Sequence, residues 1–367
     1  MKKIGCSFFL ILLSFVVFSQ QFETQLFEQG YDQFVYDESN GTLFLEHQVL
    51  RTPIFSISLA EKIFEEFNST DLKLSKIILN YHQNPMWGYD LEQKKLFTPN
   101  IKFTKEPQKT LQIRLHPDIR SRFGYYSDPY EVKLSMVIDS RIYILKGLSI
   151  IGGLSLPINN NLDNQSMRIR PAPSMLHYMT KIASNNFFAL SMGSFYGDNY
   201  GIDMEYRHAN WNLNWSYGLN CSWTGKYRFD GFTYNAKSIN TFKLIADVET
   251  RIATENMSLK LSTGQWLTGD QGARLDIIKQ FNTTDIGFFG SYSPQGSSFG
   301  FQFAVNLFPS IILRSKRVIL RSSEEFRFEY VFNSKSSSTK NFRKSLPRLD
   351  DLLRQYNFNF RTSTDLN

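Results

Sequence analysis

Pairs of acidic residues two positions apart are the first places in this sequence where chemistry could reside. Asp203 and Glu205 form one pair and Asp247 and Glu249 another. On a strand rising ~3.4 Å per residue each pair shares a face at a Cα spacing of ~7 Å, and two carboxylates so placed could serve in glycoside hydrolysis. Each pair is followed two residues on by an arginine, Arg207 or Arg251. A charge-lined, solvated wall accounts for that arrangement more simply than a catalytic dyad, and charges on such a wall tune what passes along it. Gly296-Ser297-Ser298-Phe299-Gly300 spells a nucleophile elbow, but the elbow needs a strand, a strained turn and a helix, and here it leads into a long amphipathic strand. Gly264 to Asp270 approaches a phosphate loop until Asp270 takes the lysine's place, where a carboxylate repels phosphate. His47, His82, His116, His177 and His208 never pair at ligand spacing, so no metal and no cofactor is expected.

The elements that would carry these residues are strands with two different faces. In Trp211-Asn212-Leu213-Asn214-Trp215-Ser216-Tyr217-Gly218-Leu219-Asn220-Cys221-Ser222-Trp223 every odd position is apolar or aromatic and every even one is Asn, Ser or Gly. Ser298 to Phe308, Ile202 to Arg207 and Phe326 to Phe332 repeat the rule, and noisier alternation marks 111–116, 131–139, 142–156, 187–196, 241–252, 257–267, 273–278 and 285–292. Period-2 alternation is the strand signal. A membrane-crossing strand needs ~9–11 residues, against ~5–6 for the usual strand of a soluble sandwich. The pattern therefore predicts a mainly β protein, a transmembrane antiparallel barrel of about 12 strands over 108–333. Its lumen set is Asp203, Glu205, Arg207, Asn212, Asn214, Asp247, Glu249, Arg251 and Lys260.

Outside that region the texture differs. Met1-Lys2-Lys3, the apolar run Phe8 to Phe18 and polar Ser19-Gln20-Gln21 read as a signal peptide over 1–20. Residues 21–107 read as a small α/β module, with a capping box at Ser58 to Glu61, a helix through Leu59, Ile63, Phe64 and Phe67, and a strand from Lys76 to Tyr81. Residues 334–367 read as a Ser/Lys linker followed by a short helix capped by Ser345, with Pro347 in its first turn and an apolar stripe of Leu349, Leu352, Leu353 and Tyr356. The chain finishes in polar residues without a terminal aromatic, which speaks slightly against a barrel unless Phe332 closes the last strand and the tail lies in the periplasm.

Composition excludes several classes. Of 367 residues, 33 are Phe and 18 Tyr but only 2 Cys, which speaks against disorder and against a disulfide scaffold. Without Cys6 in the leader, Cys221 stands alone, and Cys6 precedes the end of the apolar run, too early for lipid attachment. The formal charge of +7 falls by the two leader lysines to +5, too mild and dispersed for a nucleic-acid partner.

One segment carries more than pattern. Gly264-Gln265-Trp266-Leu267-Thr268-Gly269-Asp270-Gln271-Gly272-Ala273-Arg274-Leu275, then Lys279-Gln280-Phe281-Asn282 and Ile286-Gly287-Phe288-Phe289, resembles the signature of the YjbH/GfcD family of outer-membrane exopolysaccharide and group 4 capsule proteins. Arg168 to Pro171, Tyr200 to Arg207 and Thr224-Gly225 follow in the family's order, and Pro53 to Phe67 resembles its periplasmic helix; Gln280 departs from the family's usual arginine. The resemblance implies an exported, non-enzymatic outer-membrane protein of a Gram-negative-type cell, a conduit or accessory in polysaccharide secretion. Its partners would be outer-membrane lipid, an extracellular polysaccharide and periplasmic export-machinery proteins. Gly269, Asp270 and Gly272 suit a tight turn in which Asp270 bonds backbone amides. A structural or adhesion barrel without transport, and a secreted glycoside hydrolase, are the other readings.

Overall fold

Alternating sequences of this kind leave one sheet face apolar and the other polar, and the computed structural model has that organisation. It describes residues 22, 24–47, 52–67, 74–100, 110–123, 130–281, 283–307, 311–315, 317–323, 325–333, 339 and 341–359. The expected signal peptide and the linker residues 334–338 and 340 lie outside these. The chain divides into two units, Met1–Tyr81 with Pro85–Ile101 and His82–Asn84 with Lys102–Asn367.

The first unit has five strands, β1 (Tyr31–Asp37), β2 (Thr42–His47), β3 (Lys76–Tyr81), β4 (Asn84–Asp90) and β5 (Lys95–Phe97), in sheet order β1-β2-β3-β4-β5. β1 pairs antiparallel with β2, and β2 pairs parallel with β3 across the crossover that holds helix α1 (Pro53–Phe67). Parallel neighbours require such a crossover. Leu43, Leu45, Ile57, Ala60, Ile63, Ile77, Ile78 and Leu79 are buried. The helix starts at Pro53, five residues ahead of the expected capping box. Proline suits the first helical position because the amide it lacks would be unsatisfied there anyway, so Ser58 is an interior residue and not a cap.

The second unit is built on one large sheet. Its strands are β6 (Leu111–Phe123), β7 (Tyr130–Leu145), β8 (Leu148–Asn160), β9 (Arg170–Pro171), β10 (Met175–Ala183), β11 (Asn186–Phe195), β12 (Asn199–Ala209), β13 (Trp215–Asp230), β14 (Thr233–Ala236), β15 (Thr241–Ile252), β16 (Met257–Gln265), β17 (Gln271–Gln280), β18 (Thr284–Ser293), β19 (Gly296–Val305), β20 (Ile311–Arg314), β21 (Val318–Ser322) and β22 (Phe326–Asn333). Leaving out the short β9, β14, β20 and β21, each strand pairs antiparallel with the next from β6 to β22, a meander of 13 strands among the described residues. An odd number makes the first and last strands run the same way, and β21, just ahead of β22, pairs parallel with β6. The segments expected at 131–139 and 142–156 divide differently, since β7 runs unbroken to Leu145 and turns at Lys146-Gly147.

One face of this sheet exposes large apolar side chains, among them Trp223, Phe288, Tyr292, Phe299 and Phe332. The opposite face buries Arg114, Asp139, Asp203, Arg207, Lys243 and Glu249. Against that polar face lies the C-terminal segment, which includes helix α2 (Leu349–Arg354), all six of its residues buried. Arg348 stands at the helix N-cap with no side-chain cap bond, so Ser345 is not the cap and Pro347 precedes the helix. The stripe Leu349, Leu352, Leu353 and Tyr356 is buried as its spacing implies. The charged residues of this segment find complementary charges on that face. No helix among the described residues is long and apolar enough to cross a membrane; strands are a separate matter.

Candidate functional site

Strand alternation puts Asp203, Glu205 and Arg207 of β12 on the polar face beside Asp247, Glu249 and Arg251 of β15 and Lys260 of β16, and the C-terminal segment lies across them. Asp203 accepts from Asn220 Nδ2 at 2.9 Å, Ser222 Oγ at 2.7 Å and Lys344 Nζ at 2.8 Å, with Lys243 Nζ at 3.6 Å. Glu205 also takes Lys344 Nζ and accepts the backbone amide of Leu349 at 2.8 Å. Burial opposes the Lys344 charge, but Asp203 and Glu205 outweigh it and hold the ammonium above the ordinary lysine value. Arg207 donates to Asp247 Oδ1 at 2.7 Å and Glu249 Oε2 at 3.1 Å. Glu249 receives a two-pronged guanidinium from Arg354, Nε at 2.6 Å and Nη2 at 3.0 Å. Such paired geometry is the strong form of a carboxylate–arginine bond.

The remaining contacts fix the direction of the tail. Thr339 Oγ1 donates to Ser291 Oγ at 3.1 Å, and Phe342 stacks on Phe195 at 4.5 Å. Further along, Lys260 meets Asp350 and Arg251 Nη1 donates to the Arg354 carbonyl at 3.1 Å. Asn357 Nδ2 donates to Leu213 O at 2.8 Å and Asn359 Nδ2 to Asn214 Oδ1 at 2.5 Å. The tail thus crosses the whole face, from the sheet end where β18 finishes to the opposite end, where β12 turns into β13. For Asp350 burial would raise the pKa, but Lys260 and Arg348 hold the carboxyl well below the usual range. Asp351 is pushed up, first by burial and then by Asp350.

Of the expected lumen set, seven members meet on this face, while Asn212 and Asn214 stand exposed in the turn ahead of β13. That turn runs through residues where the odd–even pattern had suggested strand. In the turn after β16, Gly269 has φ +84, the left-handed region that favours glycine, and the Asp270 carbonyl accepts from Trp266 N at 2.9 Å. A Cβ on Gly272 would lie 2.1 Å from the Tyr292 carbonyl oxygen. The turn passes into Arg274, which bonds Asp276 and Glu329 and stacks 3.7 Å over the Phe289 ring. Ser298 Oγ lies 2.6 Å from Ser291 Oγ, which leaves the elbow spelling without a histidine partner at that bond. The fold brings His82 and His177 to 5.5 Å between rings despite their separation in sequence, with Arg141 Nη1 3.2 Å from His82 Nε2, a setting that repels a metal cation.

Sequence reasoning missed the other half of the network: Arg274, Asp276, Arg327, Lys344, Arg348, Asp350, Asp351 and Arg354. The signal was present, because Arg274 and Asp276 alternate as Asp203 and Glu205 do, and the tail charges complement the wall. A cavity of about 290 Å³ remains between wall and tail, reached by Arg120, Arg327, Arg343 and Arg348. Each carboxylate of the two suspected dyads accepts from a lysine or arginine: Asp203 and Glu205 from Lys344, Asp247 and Glu249 from Arg207.

Comparison with known proteins accords with the motif. The chain is 24 % identical over 203 residues to a protein of Escherichia coli (strain K12) named "Uncharacterized lipoprotein YjbH", covering 45 % of this chain and 29 % of that protein. It thus spans less than a third of the relative's length. No solved structure matches. The family model described as "Exopolysaccharide biosynthesis protein YbjH" matches residues 38–302, well over half of the sequence, and the chain belongs to this YjbH family.

Proposed function

We propose that the second unit closes into an outer-membrane β-barrel whose lumen is occupied by the chain's own tail, and that the protein acts as an accessory or gated conduit in exopolysaccharide secretion. One observation carries this reading: a 13-strand meander exposes aromatic and aliphatic side chains on one face and buries a charged, ion-paired network on the other. In water, so large an exposed apolar face would be a liability; in a bilayer it is the face that meets lipid. The parallel pairing of β21 with β6 supports closure, since a barrel has no open edge to leave unpaired in lipid. The work is passive, with no bond made or broken. Outer-membrane lipid, an extracellular polysaccharide and periplasmic export proteins are the partners, the first unit docking the last of these.

Cells lacking the protein test the role. Exported polymer measured in the medium is expected to fall and to return with the intact chain. Polymer unchanged in amount and chain length would contradict it. A barrel without transport is favoured to the extent that the tail never leaves, which conductance measurements decide; a glycoside hydrolase would cleave polymer in vitro, and no cleavage is expected.

A further inference from the structure

The charges that line the cavity between tail and wall are matched in pairs. Arg114 bonds Asp139 and Arg274 bonds Asp276, and the other arginines and lysines of the lining each meet a carboxylate in the same way. What faces the space is a polar surface with no unmatched charge of either sign, and so nothing that would hold an ionic ligand there.

The cavity also runs lengthwise. Gly197 and Trp266 line it at the sheet end where β11 and β16 finish, and Ser323 and Glu325 line it at the opposite end, just ahead of β22. Gly197 and Ser323, one at each end, are partly exposed. Its volume of about 290 Å³ has room for on the order of ten waters at ~30 Å³ each. In single file at a hydrogen-bond spacing of ~2.8 Å, ten waters reach about 28 Å, close to the ~25 Å apolar band of an outer-membrane barrel. Ser121 Oγ, Arg327 Nη2 and Arg348 Nη1, all from residues of the lining, have no hydrogen-bond partner among the described residues. Buried polar atoms beside a polar space of this size are ordinarily satisfied by water.

We propose that the flank of the seated tail is a water path: resting on the barrel reading above, the second unit passes water from one end of its sheet to the other while it holds back ions and sugars. A hydrated ion must shed its shell to enter a file one water wide, and no unmatched charge in the lining offsets that loss. A sugar ring is wider than the file. Water alone pairs with each polar group in turn and moves on, so the tail blocks the lumen to polymer and salt without drying it.

Stopped-flow light scattering after a sucrose jump, on phosphatidylcholine vesicles holding the full chain, tests this. Shrinkage is expected to be several-fold faster than in vesicles without protein, while entry of potassium chloride and D-glucose stays close to the protein-free rate. Ser262→Phe on β16 and Ser121→Leu on β6 narrow the path from separate strands, and each should return shrinkage toward the protein-free rate. Two positions are used because one may disturb folding; flotation with the vesicles and hydrogen exchange of the tail amides show which variants are inserted with the tail seated. Shrinkage at the protein-free rate with the parent chain inserted, unchanged shrinkage in inserted variants, or salt and glucose entering along with water would each overturn the path and leave the barrel standing. A chain that never enters the vesicles overturns the barrel reading and the path together.

Discussion

Lys344→Met strips one charge from the tail while keeping most of its bulk, and its consequences follow from the contacts. Lys344 is 1 % exposed and bonds both Asp203 and Glu205. Without it Asp203 keeps Asn220, Ser222 and Lys243 at 3.6 Å, but Glu205 keeps only the Leu349 amide among its bonds described above. Removing one partner of a buried pair costs ~3–5 kcal/mol, because a charge is left uncompensated. At ~1.4 kcal/mol per factor of ten, tail opening should become more frequent by roughly two to three and a half orders of magnitude. Hydrogen exchange reads this directly at the amides of Leu352, Gln355 and Tyr356, bonded within the tail at 2.9, 3.3 and 3.1 Å. Adding Glu205→Gln removes the stranded charge and should recover part of the loss. Exchange within about threefold of the parent protein, under 1 kcal/mol, with the strand amides still protected, would refute the claim that this ion pair holds the tail.

Four further outcomes are expected. Lys344 is raised above its ordinary 10.5, so its contribution is complete below pH 10.5 and lost as pH climbs through the raised value; tail protection, corrected for intrinsic exchange, should hold from pH 8 to 10 and fall only above. Phe288→Arg, on the exposed face of β18, should cost ~2–4 kcal/mol in vesicle unfolding titrations if that face meets lipid, against within ~0.5 kcal/mol for a surface change in water. Gly272→Ala sets a methyl 2.1 Å from Tyr292 O and should lower stability by ~1–3 kcal/mol, read as a shifted midpoint. In planar bilayers the intact chain should conduct weakly and a chain ending at Phe332 strongly; equal conductance would mean the tail does not fill the lumen.

Much of the sheet was legible because period-2 alternation is strict wherever one face is polar, as in β12, β13 and β18. It failed where pattern and structure part: Asn212 and Asn214 keep the alternation but fold into a turn, and β7 continues through residues that read as two strands. The site was half legible. Asp203, Glu205, Arg207 and Glu249 stood out by spacing, but a spacing pattern on a wall carries no information about what the wall binds. Their partners Lys344 and Arg354 sit more than 100 residues away, and Asp350 sits 90 residues from Lys260, in a segment whose linker-like start suggested a loose tail. Complementarity between distant charges becomes visible only once the meander has brought the strands round.

The central claim is that the apolar face of the sheet meets the outer membrane, and fractionation of cells expressing the full chain tests it most directly. The protein is predicted to sediment with outer-membrane markers, resist carbonate extraction and enter solution only with detergent. Recovery in the soluble periplasm, folded and without detergent, would contradict the account.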